Sequence, residues 1–155
     1  MDRLIDILFY IFLILAAVKD IKEKIISDVF NILIIILGVI KIILFNGDFE
    51  KSVMGMGVFP LVFIIIYGYI SEILKKDVIG FGDIKFMGAV GFYLGYSGMY
   101  NLIILYNTIF IATFIIVFPL LLLKKIKKEA EIPFAPFISA GILISLFLDR
   151  FQGVL

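Results

Sequence analysis

Asp83 lies in Gly80-Phe81-Gly82-Asp83-Ile84-Lys85, where a polar loop gives way to an apolar run over residues 86–96. An ionisable side chain at such an edge is costly unless it has a partner or a task. Gly80 and Gly82 have no Cβ, so a second backbone can come close to the carboxylate, and the turn is free to use φ > 0. The plainer reading is a helix start with Asp83 as its N-cap. Asp20, in Lys19-Asp20 after the apolar run of residues 4–18, is the other candidate. Two carboxylates in one site repel, which raises one pKa and leaves a single shared proton. Such a pair supplies a base for water and an acid for the carbonyl or leaving amine of a peptide. The N-terminus of the helix opening at Asp83 favours an anion there, and Lys85 adds to it, so Asp83 is expected to be the more acidic partner.

Composition sets the class of element that must hold these groups. Of 155 residues, 63% are hydrophobic and 17% charged, and the mean hydropathy is +1.20. One small core cannot hide that much apolar surface from water, so the chain is expected to be an integral membrane protein. Its net charge of +1 gives no global field, and no nucleic-acid partner is expected. Cys and His are both absent. Thiol nucleophiles, disulfides, imidazole metal sites and histidine triads are therefore excluded, which leaves Asp and Glu for acid–base work. No cofactor or metal is expected; the remaining route to a metal is a carboxylate set of Asp20, Glu23, Asp77 and Asp83.

Six apolar runs follow in order: residues 4–18, 29–45, 53–74, 84–96, 102–123 and 132–148. The first is read as a span rather than a signal peptide, because Met1-Asp2-Arg3 lacks a positive n-region. Ser27 or Asp28 is placed to cap the second helix, and Asn46-Gly47-Asp48 reads as a turn. Pro60 is expected to kink the third span, as neighbouring helices permit in lipid. Gly88, Gly91 and Gly95 form a flat stripe for close helix packing, and Met54-Gly55-Met56-Gly57 reads as packing of the same kind. The five tyrosines Tyr67, Tyr69, Tyr93, Tyr96 and Tyr100 suit interfacial or bundle positions. The expected fold is all-α and polytopic, one domain over residues 1–155 with about six transmembrane helices.

Lys19, Lys22, Lys24, Lys75, Lys76, Lys85, Lys124, Lys125, Lys127 and Lys128 all fall in loops one, three and five or at their edges. The positive-inside rule then puts both termini outside and these loops in the cytosol, with the Lys124–Lys128 cluster also suited to lipid headgroups. Asp20 and Asp83 thereby share one membrane face. The first and fourth runs are short for a hydrocarbon core of about 30 Å, so both aspartates are expected in a wet recess slightly below the headgroups, the alternative being that the helix ends extend through the polar flanks.

Three motifs carry a resemblance. The stretch Asp20-Ile21-Lys22-Glu23-Lys24-Ile25-Ile26-Ser27-Asp28 is similar to the prepilin-peptidase segment in which an Asp is followed a few residues on by Ile-Pro-Asn. Gly80-Phe81-Gly82-Asp83-Ile84-Lys85 resembles that family's Gly-x-Gly-Asp-x-Lys, and Ile132-Pro133-Phe134-Ala135-Pro136-Phe137 resembles its late Pro-Phe-Gly-Pro-Phe box. The resemblance implies a membrane aspartic endopeptidase that removes the short leader of type IV prepilins or related archaellins at the cytosolic face of the cell membrane, with Asp20 and Asp83 as the catalytic pair. It further implies supporting or substrate-binding roles for Gly80, Gly82, Lys85, Asp28, Pro133 and Pro136, and a prepilin-like membrane protein as partner. Ser27-Asp28 replaces Pro-Asn and Ala135 replaces Gly, so the turn after Asp20 and the bend at span six are expected to depart from the family pattern.

Larger members carry a Cys-rich region linked to N-methylation. This sequence has no Cys, so peptidase activity without methyltransferase activity is expected. Glu23, Asp28 and Asp77 are candidates for attracting a basic leader, and Pro133 and Pro136 either shape the start of span six or help position substrate backbone. A presenilin-like protease also uses Gly-x-Gly-Asp, but with a Tyr-Asp partner deep in a span, which Lys19-Asp20 fits poorly. The rival from another class is a small transporter or assembly component whose Asp20 and Asp83 bind protons or cations.

Overall fold

The computed structural model describes residues 2–75, 79–123 and 132–152. Among them all regular structure is helical: α1 (Asp2–Glu23), α2 (Asp28–Phe45), α3 (Phe49–Val58), α4 (Leu61–Ile65), a π-helical turn (Ile66–Ile70), α5 (Ser71–Leu74), α6 (Phe81–Leu94), α7 (Met99–Leu122) and α8 (Ala135–Gln152). The segments from α3 to α5 form one broken column, so the chain rises and falls through six helical columns. Three stretches are long and apolar enough to cross a membrane by themselves: Asp28–Phe45, Phe49–Ile73 and Met99–Pro119. Their outward faces carry exposed Ile, Leu, Val and Phe, as lipid-facing surface requires.

Short turns set the antiparallel order at the start of the chain. Lys24 adopts φ 55° and closes α1, its N–H donating to the Asp20 carbonyl at 2.8 Å. Ser27 occupies the N-cap of α2 as expected, although its side chain makes no capping bond. At the other end Asn46 takes a left-handed conformation, and Asp48 caps α3 by accepting from the Lys51 N–H at 3.1 Å. That bond and the Lys51 ammonium hold the exposed Asp48 carboxyl below its ordinary value.

The glycine stripe of α6 decides where the third column lies. A methyl group on Gly55 would overlap the Gly91 carbonyl, and one on Gly91 would strike Gly55 and Phe59. The two backbones therefore touch, the close approach that small residues permit. Gly95, at φ 74°, ends α6 against Lys51, and the Tyr96 N–H donates to the Lys51 carbonyl at 2.8 Å. Beyond this contact the column breaks at Pro60, which has no N–H to continue the ladder. The Tyr106 hydroxyl donates to the Phe59 carbonyl at the break.

On the other side of α6, Gly38 of α2 takes the Phe92 ring, and Gly82 faces Ile26. Helix α8 sits between α1 and α7: the Ser139 hydroxyl donates to the Leu13 carbonyl at 3.1 Å, and Gly141 leaves room only for Ile109. Phe9, Leu13, Ile34, Phe63, Phe86, Met87, Val90, Ile109, Ile138 and Ile142 fill the shared interior. Tyr93 belongs to this interior, stacked on Phe9 with ring centroids 3.9 Å apart.

Two expectations about span length separate. Helix α6 is short, 14 residues or about 21 Å. Helix α1 is not: it continues through the polar flank to 22 residues, about 33 Å, because Lys19, Asp20 and Glu23 extend the ladder instead of ending it. Lys76, Asp77 and Lys124–Lys128 of the sequence reading fall outside the described residues.

Candidate active site

Asp20 is in the last turn of α1 and Asp83 in the first turn of α6, and parallel packing of α2 on α6 fixes their level. Ile26 meets Gly82 at one end of that contact and Gly38 meets Phe92 and Tyr93 at the other. Asp20 and Asp83 together line a recess of about 360 Å³, with Lys24, Ile25, Ile26, Asp28, Gly80, Gly82 and Lys85. The recess thus gathers six of the eight residues singled out from the sequence. Pro133 and Pro136 do not line it; they flank the residue that binds Asp20.

The Asp20 carboxylate is 5% exposed, and its Oδ2 accepts from the Ala135 N–H at 3.0 Å. Ala135 opens α8, where first-turn N–H groups lack helical acceptors. Burial pushes the Asp20 carboxyl up, while the N–H groups of Ala135 and Phe134 pull it back. Both aspartates stand outside the apolar runs, at helix ends.

Asp83 is 8% exposed. It is not the N-cap of its helix: Gly80 holds that position at φ −70°, ψ 141°, and Asp83 sits three residues further in. The Asp83 N–H donates to the Gly80 carbonyl at 3.0 Å. Gly80 therefore does not use the positive φ that the sequence allowed. Its missing Cβ matters for another reason, since a Cβ there would stand 3.1 Å from Asp83 Oδ2. Oδ1 is buried with no hydrogen-bond partner among the described residues.

Burial first, and then the charge of Asp20, push the Asp83 carboxyl up to about 7, against a smaller opposing pull from the Gly80 N–H. Both carboxyls are therefore raised above the ordinary range. The Ala135 N–H serves Asp20, and the helix N-terminus that should favour charge on Asp83 is outweighed by loss of water around it. Lys85 does not help Asp83 as expected; its ammonium reaches Asp28 at 3.1 and 3.2 Å.

The Asp28–Lys85 pair bridges α2 and α6 across the rim of the recess. Glu23 is likewise taken, by Lys19 at 3.7 Å. Neither acid is an unpaired attractor for a basic segment. Among the described residues no group of three or more acids is gathered closely enough to hold a metal ion.

Three features escaped the sequence reading. The Ala135 N–H to Asp20 contact joins residues 115 positions apart, and its only trace is the spacing of the two prolines. Asn31, three residues after Asp28, is buried at 5% exposure with both ends of its amide unpartnered among the described residues. At the opposite end of the bundle the Tyr93 hydroxyl donates to Asp6 at 2.6 Å, and the Lys41 ammonium lies 4.7 Å from the Tyr93 ring centroid. That polar cluster clamps α1, α2 and α6 at the end remote from the recess.

The arrangement offers a recess lined by two buried carboxylates from different helices, the charge of one acting on the other, and a backbone donor on Asp20. No curated protein and no solved structure matches the chain. Residues 7–124 match the family described as the type IV leader peptidase family, a span that includes both aspartates but ends before α8.

Proposed function

Because the chain belongs to the type IV leader peptidase family, a family of membrane leader-cleaving peptidases, we propose that it is an aspartic endopeptidase whose catalytic pair is Asp20 and Asp83. The observation that carries this reading is that both buried carboxyls line one recess, where the charge of Asp20 adds to burial in raising Asp83. Two carboxylates that share one proton meet the condition for activating water and protonating an amide together.

The family supports a substrate class: a leader-bearing precursor of the type IV pilin kind, or an archaellin, which joins a polar leader to an apolar helix. Its scissile bond would lie near a membrane surface, and the aspartates' place at helix ends fits that level. Cleavage requires extended backbone, because a helix buries its own carbonyls in its ladder. Gly80 and Gly82 line the recess beside Asp83, where such a strand would lie. The lysine distribution supports a cytosolic recess, and the absence of Cys supports peptidase action without N-methylation.

The test is co-expression with a prepilin-like precursor, scored by gel mobility. Wild type is expected to remove the leader, and Asp20→Asn and Asp83→Asn to leave it intact at equal membrane abundance. Leader removal by either variant at the wild-type rate would refute the pairing.

A further inference from the structure

The turn that opens α8 lies beyond the matched residues, and a two-aspartate site does not require it. From residue 133 to 138, Pro133 and Pro136 have no N–H, and Phe137 and Ile138 donate to the Phe134 carbonyl at 3.0 and 3.1 Å. Only Phe134 and Ala135 are left with N–H groups lacking a helical acceptor. Of these, the Ala135 N–H donates to Asp20 Oδ2 at 3.0 Å, and the Phe134 N–H adds to the pull on the same carboxyl. The two prolines thus remove competing donors on either side and fix φ, so that the remaining pair is presented at one place.

Of the other charged groups around Asp20, four form two ion pairs, and Lys24 and Asp83 stand outside them. Lys24 flanks the recess from the turn after α1, Asp28 from α2, and Lys85 and Asp83 from α6. Asp28 and Lys85 are paired at 3.1 Å, and Lys19 and Glu23 on α1 itself at 3.7 Å. Residues 132–138 contain no charged side chain. Fixed backbone dipoles at a helix N-terminus stabilise an anion without supplying a cation that would also attract Asp83.

Resting on the two-aspartate reading above, we propose that the Pro133-Phe134-Ala135-Pro136 turn is a positioning element that holds Asp20 as the ionised partner and leaves the shared proton on Asp83. Asp20 then takes a proton from water as its oxygen bonds to the peptide carbonyl carbon, and Asp83 gives its proton to the carbonyl oxygen. When the resulting diol collapses, one hydroxyl proton returns to Asp83, the C–N bond breaks, and the proton on Asp20 leaves with the amine. Pro133, Ala135 and Pro136 are positioning residues; they act through Asp20.

The direct test replaces the Ala135 amide by an ester, which deletes the N–H and leaves the side chain. Cleavage of a prepilin-like precursor by the purified protein is expected to lose roughly tenfold in kcat, the scale of one charge-assisted hydrogen bond. KM is expected to stay within about twofold, and the acid limb of the pH–rate profile to move up by about one unit. Ala135→Gly, which keeps the N–H, is expected to retain the wild-type limb. An ester variant with an unmoved acid limb would overturn the proposal.

A second measurement needs no altered backbone. In ¹⁵N-labelled wild type the Ala135 amide resonance is expected to titrate with Asp20 and to lose that step in Asp20→Asn; a flat Ala135 resonance in wild type would overturn the proposal equally. An active Asp20→Asn would instead remove the two-aspartate reading itself, and this inference with it. A dead Asp20→Asn beside an unmoved ester limb removes the inference alone.

Discussion

Asp83 keeps its carboxylate in a place where ionisation is resisted, with Oδ1 buried and unpartnered among the described residues. Its folded value of about 7 lies above the ordinary 3.8, so the folded state holds this proton more tightly than the unfolded chain does. The resulting stabilisation is complete below about pH 4 and is lost as pH rises through about 7. Asp83→Asn is therefore expected to raise Tm in detergent at about pH 8 and to give no gain near pH 4; equal gains at both would contradict the burial account. Asn31 carries a related penalty, since a buried amide without partners costs about 1–3 kcal/mol. Asn31→Leu is expected to stabilise by that order in thermal unfolding, and a loss of stability would mean that the amide is satisfied in the membrane. The two aspartates were legible from their positions at the edges of apolar runs. The raised Asp83 carboxyl was not, because helix-end electrostatics can be read locally while desolvation depends on what other helices bring.

Helix α6 reaches its place because Gly91 lets the backbone of α3 touch it. A side chain at Gly55 or Gly91 must separate the two helices and move Asp83 relative to Asp20. Gly91→Leu is expected to cost at least about 1–3 kcal/mol, the usual scale of overpacking, and to reduce cleavage more than abundance. Unfolding and activity measured on the same preparation would check both. The exposed Asp28–Lys85 pair is a different kind of contact, worth about 0–1 kcal/mol. Lys85→Met is accordingly expected to leave Tm within a few degrees of wild type. The glycine stripe of α6 and the break at Pro60 could be read directly, since missing side chains and missing donors act through the backbone alone. The continuation of α1 past Asp20 could not, because charged residues with good helical propensity extend a helix that hydropathy would end. The π-helical turn Ile66–Ile70 has no comparable sequence signal.

Across the whole molecule the polar chemistry divides between two ends. Asp20, Asp83 and the Asp28–Lys85 pair occupy one, and Asp6, Tyr93 and Lys41 the other. The lysine distribution predicts a recess on the cytosolic side, and the absence of Cys makes that easy to test. With a membrane-impermeant maleimide, Phe49→Cys is expected to label in intact cells and Lys22→Cys only after permeabilisation; the reverse pattern would put the recess on the other face. Hydropathy alone made the helical membrane class evident. It could not show that α8 reaches back to Asp20, because that contact joins the ends of the chain through backbone atoms. The most direct test of the account is the rate of leader release by purified protein from about pH 4 to 9, measured side by side for wild type, Asp20→Asn and Asp83→Asn. A bell-shaped profile for wild type with both variants at background is expected, and a wild-type bell in either variant would contradict it.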